Sequence, residues 1–211
     1  MSEEKLDINP VLARRRGRPA KGQEPNTNQI IPAALICFAR RGFEGANLRD
    51  IAAAAGIDVA LISYRFGSKL DLWKAVVEYL AAWFLAELSS LPLGPGQRLR
   101  QTLAHLIDVV CEHSDIALFL IKEVAAQEAR FDFFYQHLIY PVHNLISPLL
   151  SSSETHTNKA CVNLFFFTFT SAISVAVTMR PFITKLSPEL EEDLVFQASL
   201  KQVLLQGLPS A

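Results

Sequence analysis

Apolar residues recur along this chain at intervals of three and four, broken by residues that cap or stop helices, and almost nowhere do they alternate as a strand requires. A first helix is expected over 30–41, with Ile30, Ala34, Cys37 and Phe38 on one face, Pro32 in its first turn and Gly42 at its end. Asn47 can cap a short second helix, with Asp50 three residues on, and Gly56 closes it. Asp58 can cap a third helix that ends near Gly67, and Ser68 with Asp71 starts a long fourth one reaching Ser89. The run Leu91-Pro-Leu-Gly-Pro-Gly96 breaks the pattern. Helices are expected after it over 97–113, 115–129 and 132–150, with a kink at Pro141 and a loosened end at Pro148. A Ser/Thr-rich loop at 151–157 leads to helices over 158–179 and 189–206, separated by Pro181 and Pro188, with Gly207 as a C-cap. This reads as an all-α chain of about nine helices, with an antiparallel bundle in its second half.

Half the residues are apolar and 19% are charged, the balance of a folded chain. The net charge of -1 conceals an asymmetry. Residues 1–74 carry 12 Lys/Arg against 8 Asp/Glu, and residues 75–211 carry 8 against 13. A basic head on an acidic body implies that the head meets a polyanion. Residues 1–26 are polar, contain Pro10, Pro19 and Pro25, and include RRRGRPAKG, which reads as a basic arm. Three segments follow: an arm at 1–26, a head at 27–74 and a body at 75–211.

Other functional classes find little support. Cys37, Cys111 and Cys161 are scattered, and the five histidines show no metal-ligand spacing, so no metal or disulfide framework is expected. No cofactor fingerprint, phosphate loop or nucleophile motif occurs, and Glu123 with Glu128 would not share a helical face. The opening MSEEKLDINP lacks the apolar stretch of a secretory signal, and a cytoplasmic setting is expected. Val162–Thr178 is apolar but short of the ~20 residues of a spanning helix, so a core or interface helix is expected, with no membrane.

The segment 47–69, NLRDIAAAAGIDVALISYRFGSK, carries the chemistry. Two short helices meet at a tight turn on Gly56, small residues (Ala52, Ala53, Ala55) permit a close crossing, and Ile51, Ile57, Ile62 and Phe66 fix it. That is the build of a helix-turn-helix, whose second helix enters the major groove. With A-A-L-I-C-F-A-R-R-G-F before it and Y-R-F-G-S-K-L-D-L within and after it, residues 30–80 resemble the DNA-binding domain of TetR-family transcriptional regulators.

The resemblance implies a recognition helix at 58–64, with Val59, Ala60, Leu61 and Ser63 nearest the base edges. It implies phosphate contacts from Tyr64, Arg65 and Lys69, and backbone contacts from Asn47, Leu48 and Arg49 at the start of the supporting helix. Many members carry Tyr in place of Ser63 and His in place of Arg65. The face is apolar, so readout is expected to lean on thymine methyls and Ser63. In the arm, Arg16-Gly17-Arg18-Pro19 has the form of a minor-groove hook, with Arg16 and Arg18 following a narrow A·T groove.

The resemblance also implies a homodimer on a near-palindromic duplex operator, repression relieved by a small apolar or aromatic effector, and no enzymatic activity. Pocket candidates are Leu103, Ile107, Phe119, Glu123, Phe134, Tyr135 and His137. A dimer interface is expected from the last two helices, through Phe165, Phe167, Phe169 and Ile173 with Val195, Leu200, Val203 and Leu204.

Overall fold

Local capping sets three of the first four helices. The computed structural model describes residues 27–91, 98–124, 128–151 and 158–206. A 3₁₀ turn at Thr27–Gln29 leads into α1 (Ile30–Gly45), whose last turn is offset at Gly42 (φ 71°, ψ 170°), a conformation that side chains with a Cβ disfavour. In α2 (Leu48–Ala55) the Asn47 side chain accepts from the Asp50 amide and donates to the Asp50 carboxylate. Gly56, left-handed at φ 70°, closes it through bonds to the Ala52 and Ala53 carbonyls. Asp58 caps α3 (Val59–Phe66) through the Ala60 amide, and Ser68 caps α4 (Lys69–Ser89) through the Asp71 amide.

The body follows as α5 (Arg98–Glu112), α6 (Ser114–Glu123), α7 (Glu128–Phe134), α8 (Tyr140–Ser151), α9 (Lys159–Leu186) and α10 (Asp193–Leu205). A π-helical turn, Tyr135–Ile139, joins α7 to α8, so these two form one interrupted helix. Counted that way, nine helices and no strand occur among the described residues. The expected division at 74/75 falls inside α4, which runs unbroken from head to body and packs on α1, α5 and α8. The head also touches the body directly along a long α1–α6 contact.

Three details differ from the expected elements. The second body helix stops at Glu123 instead of 129. The irregularity near Pro141 is a π turn just before it, where Tyr140 N–H reaches back five residues to the Tyr135 carbonyl. Helix α9 continues through Pro181 to Leu186 instead of ending near 179. A proline removes a single ladder bond, and tertiary contacts outweigh it here. Arg180 binds the Leu190 and Glu191 carbonyls at 3.2 and 2.7 Å and the Asp193 carboxylate at 2.6 Å, which secures the end of α9 to the next segment. The Pro/Gly breaker, most of the 151–157 loop and Gly207 lie outside the described residues.

One continuous core runs through the molecule. In the head it holds Ile30, Leu35, Phe38, Ile51 and Ile62; along α4 it holds Leu72, Trp73, Val76 and Leu80; in the body it holds Leu103, Ile107, Ile116, Phe119, Ile146 and Ile173.

Candidate nucleic-acid interface

Ile51 and Ile62, both without solvent exposure, pin α2 and α3 to the core and turn the opposite face of α3 outward. That outer face carries Ala60, Ser63, Tyr64 and Arg65, with Val59 and Leu61 half-buried at its edge. Tyr64 is 90% exposed, an unusual position for a phenol. Arg49 is exposed on α2, and neither it nor Arg65 has a carboxylate partner among the described residues; the Arg65 guanidinium lies 5.6 Å from the Phe66 ring. The neighbouring cations are paired internally, Arg41 with Asp50 and Arg40 with Asp115. The free donors of the head are thus concentrated on and beside α3.

Three sequence-derived residues have prior commitments. The Asn47 side chain is used on both sides in the α2 cap, which leaves α2 backbone amides as its contribution to an anion. Ser63 Oγ donates to the Val59 carbonyl at 3.3 Å, so its remaining role in the groove is that of an acceptor. Lys69 departs furthest from its expected role as a phosphate contact. Its ammonium donates to the carbonyls of Phe43 (2.9 Å), Ala46 (3.1 Å) and Glu44 (3.4 Å) and lies 4.5 Å from the Phe43 ring centroid. Leu48 is half-buried against the core, and Arg16 and Arg18 lie outside the described residues.

The pocket candidates separate into two groups. Leu103, Ile107, Phe119, Glu123 and Phe134 are all buried in the body, with Phe119 and Phe134 edge to face at 6.2 Å. Tyr135 and His137 are corrected: both face outward. Tyr135 sits 6.2 Å from Tyr140, and His137 stacks on Phe133 at 3.8 Å with Nδ1 donating to the Phe133 carbonyl. A cleft of about 590 Å³ lies elsewhere, between α1, the α5–α6 turn and α10, lined among others by Leu35, Arg40, Cys111, His113, Arg180 and Phe196. Spacing gave no signal for it, because it is assembled from segments far apart in the chain.

Glu123 is 1% exposed, and its Oε2 has no hydrogen-bond partner among the described residues; the same holds for the buried Trp73 Nε1 and Arg130 Nη1. Burial pushes the Glu123 carboxyl up, while the Arg130 charge and the Trp73 indole oppose the rise. Arg130 lies 4.2 Å from the Phe43 ring and 5.9 Å from Trp73, and Trp73 is 5.9 Å from Phe133. The sequence reading passed over this aromatic and cationic cluster. Its only local trace is Phe43 directly after the Arg-Arg-Gly stop of α1.

The expected dimer residues also separate. Phe169 and Ile173, at 5% and 1% exposure, are corrected to core positions, and Phe165 stacks on Phe169 at 5.5 Å. Phe167 is exposed, and it belongs to an outward stripe of Leu164, Phe167, Val175, Met179, Phe182 and Leu186 at helical spacing. Leu194 and Val203 are exposed on α10, and Val195, Leu200 and Leu204 are half-buried. By length and composition α9 could cross a membrane, and it is the one such helix among the described residues. Its other stripe, Val162, Phe166, Phe169, Ile173 and Val177, is nonetheless buried against the body.

Residues 30–76 match the family model for bacterial regulatory proteins of the tetR family. The chain is 30% identical over 116 residues to the HTH-type transcriptional repressor NicS of Pseudomonas putida, covering 54% of this chain and 55% of that one. It is 28% identical over 149 residues to the HTH-type transcriptional dual regulator CecR of Shigella flexneri, covering 63% and 66%. The matches therefore span between half and two thirds of these relatives' lengths. Among solved structures, the fatty acid degradation regulator FadR from Bacillus halodurans superposes with a TM-score of 0.68 at 18% identity, over 86% of this chain and 99% of that one. The architecture is shared along nearly the whole neighbour, and the family-model match covers α1 to the first turns of α4. Residues 30–76 thus carry the DNA-binding segment described by the tetR family model, and the chain shares the fold of the regulators it superposes on.

Proposed function

We propose that this chain is a transcriptional regulator that binds a near-palindromic duplex operator as a homodimer and acts by binding, without catalysis. The observation that carries the reading is the outer face of α3, where Tyr64 and Arg65 are exposed, beside Arg49 of α2, and neither arginine has a carboxylate partner among the described residues. Such a helix can lie in a major groove with its cations on the flanking phosphates, while Val59, Ala60, Leu61 and Ser63 meet base edges. The apolar stripe of α9, with Leu194 and Val203 of α10, supports a two-fold interface that would set two recognition helices roughly 34–36 Å apart. The same stripe would suit a membrane only if its opposite face were also free, and that face is packed.

Repression relieved by a small apolar or aromatic effector in a cytoplasmic setting completes the proposal; NicS bears the name of a repressor. An effector works only through unequal affinity for DNA-competent and incompetent states, so it and the operator must weaken each other by one common factor. The body interior around Phe119 and Phe134 suits an apolar molecule, and the cleft beside α1 offers a second place for one. The test is selection from a random duplex pool, followed by gel shift. Recovery of an inverted repeat bound by a dimer supports the reading. Failure to enrich any sequence, with binding to all duplexes alike, overturns it.

A further inference from the structure

We propose that the cleft between head and body is a binding site for an amphipathic organic cation, an amine carried on an apolar body of one ring or a short chain. Its role as an effector site rests on the DNA-binding reading above; its occupancy does not.

At about 590 Å³ the cleft is of a size that holds a small molecule. Its walls come from four places in the chain: α1 of the head, the turn between α5 and α6, the end of α9 and the start of α10. Leu35, Ile116 and Phe196 line it at 1%, 1% and 4% exposure, so an apolar body meets side chains already fixed by the core. A molecule seated there touches α1 and α10 at once. Its affinity therefore differs between states in which the head shifts against the body.

The charges around this lining are unbalanced. Two arginines, Arg40 and Arg180, stand with three carboxylates, Glu112, Asp115 and Asp193. Both cations are engaged already. Arg40 pairs with Asp115 at 3.2 Å, and Arg180 holds Asp193 at 2.6 Å, the carbonyls of Leu190 and Glu191, and the Phe196 ring at 4.7 Å. An anionic ligand would have to displace one of these aspartates. Glu112 is exposed and has no ion-pair partner among the described residues. The other two titratable groups of the lining add no cation at neutral pH. Burial holds the His113 ring below its ordinary pKa, against the charges of Glu112 and Glu87, and burial with Asp108 pushes the Cys111 thiol up to about 11. The uncompensated charge is the Glu112 carboxylate, which attracts an ammonium and repels a second carboxylate. Because it is exposed, apolar contact supplies most of the affinity and Glu112 sets the preferred sign of charge.

Three probes with one skeleton separate these contributions: 4-phenylbutylamine, 4-phenylbutan-1-ol and 4-phenylbutyrate, titrated calorimetrically into the full chain at pH 7.5 without DNA. The amine should bind about tenfold tighter than the carboxylate, with the alcohol between them, and the gap should narrow as salt rises. Glu112→Gln should bring the three to within about twofold of one another. Gln197→Trp and Ser114→Trp, which fill the cleft from α10 and from the α5–α6 turn, should abolish binding of all three. Amine binding that survives both filling variants overturns the site, and equal affinity of the wild type for the three probes overturns the ligand class. No heat from the amine at millimolar concentration overturns both. Should one Trp variant fail to fold, the other decides together with Glu112→Gln. Operator DNA enters only afterwards. Amine bound in the cleft with unchanged operator affinity refutes the effector role, and a chain that recovers no duplex from a random pool is still tested by the DNA-free titration.

Discussion

Two helices of this molecule, α3 and α9, each bury one stripe and leave the other without a partner, and the chemistry of the two free faces is opposite. On α3 the fully buried Ile62 holds the helix while Ser63, Tyr64 and Arg65 point outward, small and polar or cationic. On α9 the buried stripe of Phe166, Phe169 and Ile173 is matched by an outward stripe of Leu164, Phe167, Val175 and Phe182. A face of uncommitted donors loses little in water and gains from a polyanion; a contiguous apolar face gains only from another apolar surface. The first suits an operator and the second a copy of the same chain. The lesson concerns adjacent positions: Phe167 and Phe169, alike in composition and two residues apart, belong to different surfaces.

That distinction gives the largest expected effects. Phe169→Glu places a carboxylate in the core and should cost about 3–5 kcal/mol, enough to unfold the body and abolish the cooperative melt. Phe167→Glu with Phe182→Glu places two like charges on the exposed stripe of each chain. The expected product is a monomer that keeps its helical circular dichroism and has lost operator binding, read by sedimentation. A double variant that stays dimeric would remove α9 from the interface.

The polar face is sharpened by charge removal. Deleting residues 1–22 takes away Arg14, Arg15, Arg16, Arg18 and Lys21, and the salt slope of operator binding should become shallower by a few units with the dimer intact. If the arm follows a groove, replacing flanking A·T by G·C should hurt the full chain and leave the truncated one unaffected. Smaller still, Arg49→Ala or Arg65→Ala should each flatten the slope by about one unit, again without change in oligomeric state. A normal slope in either would withdraw that residue from the interface.

The head was more legible than the body for a physical reason. Its helices α2 and α3 are eight residues long, and most of their boundaries are set by a residue close in sequence: Asn47 with Asp50, Gly56, Asp58, and Ser68 with Asp71 at the start of α4. Local signals of that kind can be read off the sequence. The body is decided by contacts between distant segments. Arg180 held to residues 190–193 carries α9 past Pro181, and periodicity alone could not tell which apolar stripe of α9 faces inward. The internal bonds of Lys69 were hidden for the same reason within the head: its partners lie 23 to 26 residues away. The cleft and the Phe43–Arg130 contact likewise join segments whose proximity only the fold creates.

The smallest effect expected belongs to His113, at the α5–α6 turn where the body meets α1. Its ring stands edge-on to Trp83 at 5.1 Å and 80°, half-buried on the wall of the cleft. Burial holds its pKa below the ordinary value, and the charges of Glu112 and Glu87 only partly offset this. Glu87 is itself engaged by His105 at 3.4 Å, and the ion pairs Arg40–Asp115 and Arg180–Asp193 also line the cleft. The sign follows from linkage: the unfolded chain takes up the proton near pH 6.5, before the folded one does, so protonation favours unfolding. Stability from the neutral ring is complete above that pH and is lost as pH falls through the folded pKa. His113→Phe keeps the edge-to-face contact and removes the titration. Compared with the wild type, its melting temperature should decline less between pH 7.5 and 5.5, while operator affinity at pH 7.5 stays the same. A parallel decline in both proteins would show that His113 is as well solvated in its charged form as in the unfolded chain. A steeper decline in the variant would mean that Glu112 and Glu87 outweigh burial, and acid would then tighten the junction instead of loosening it.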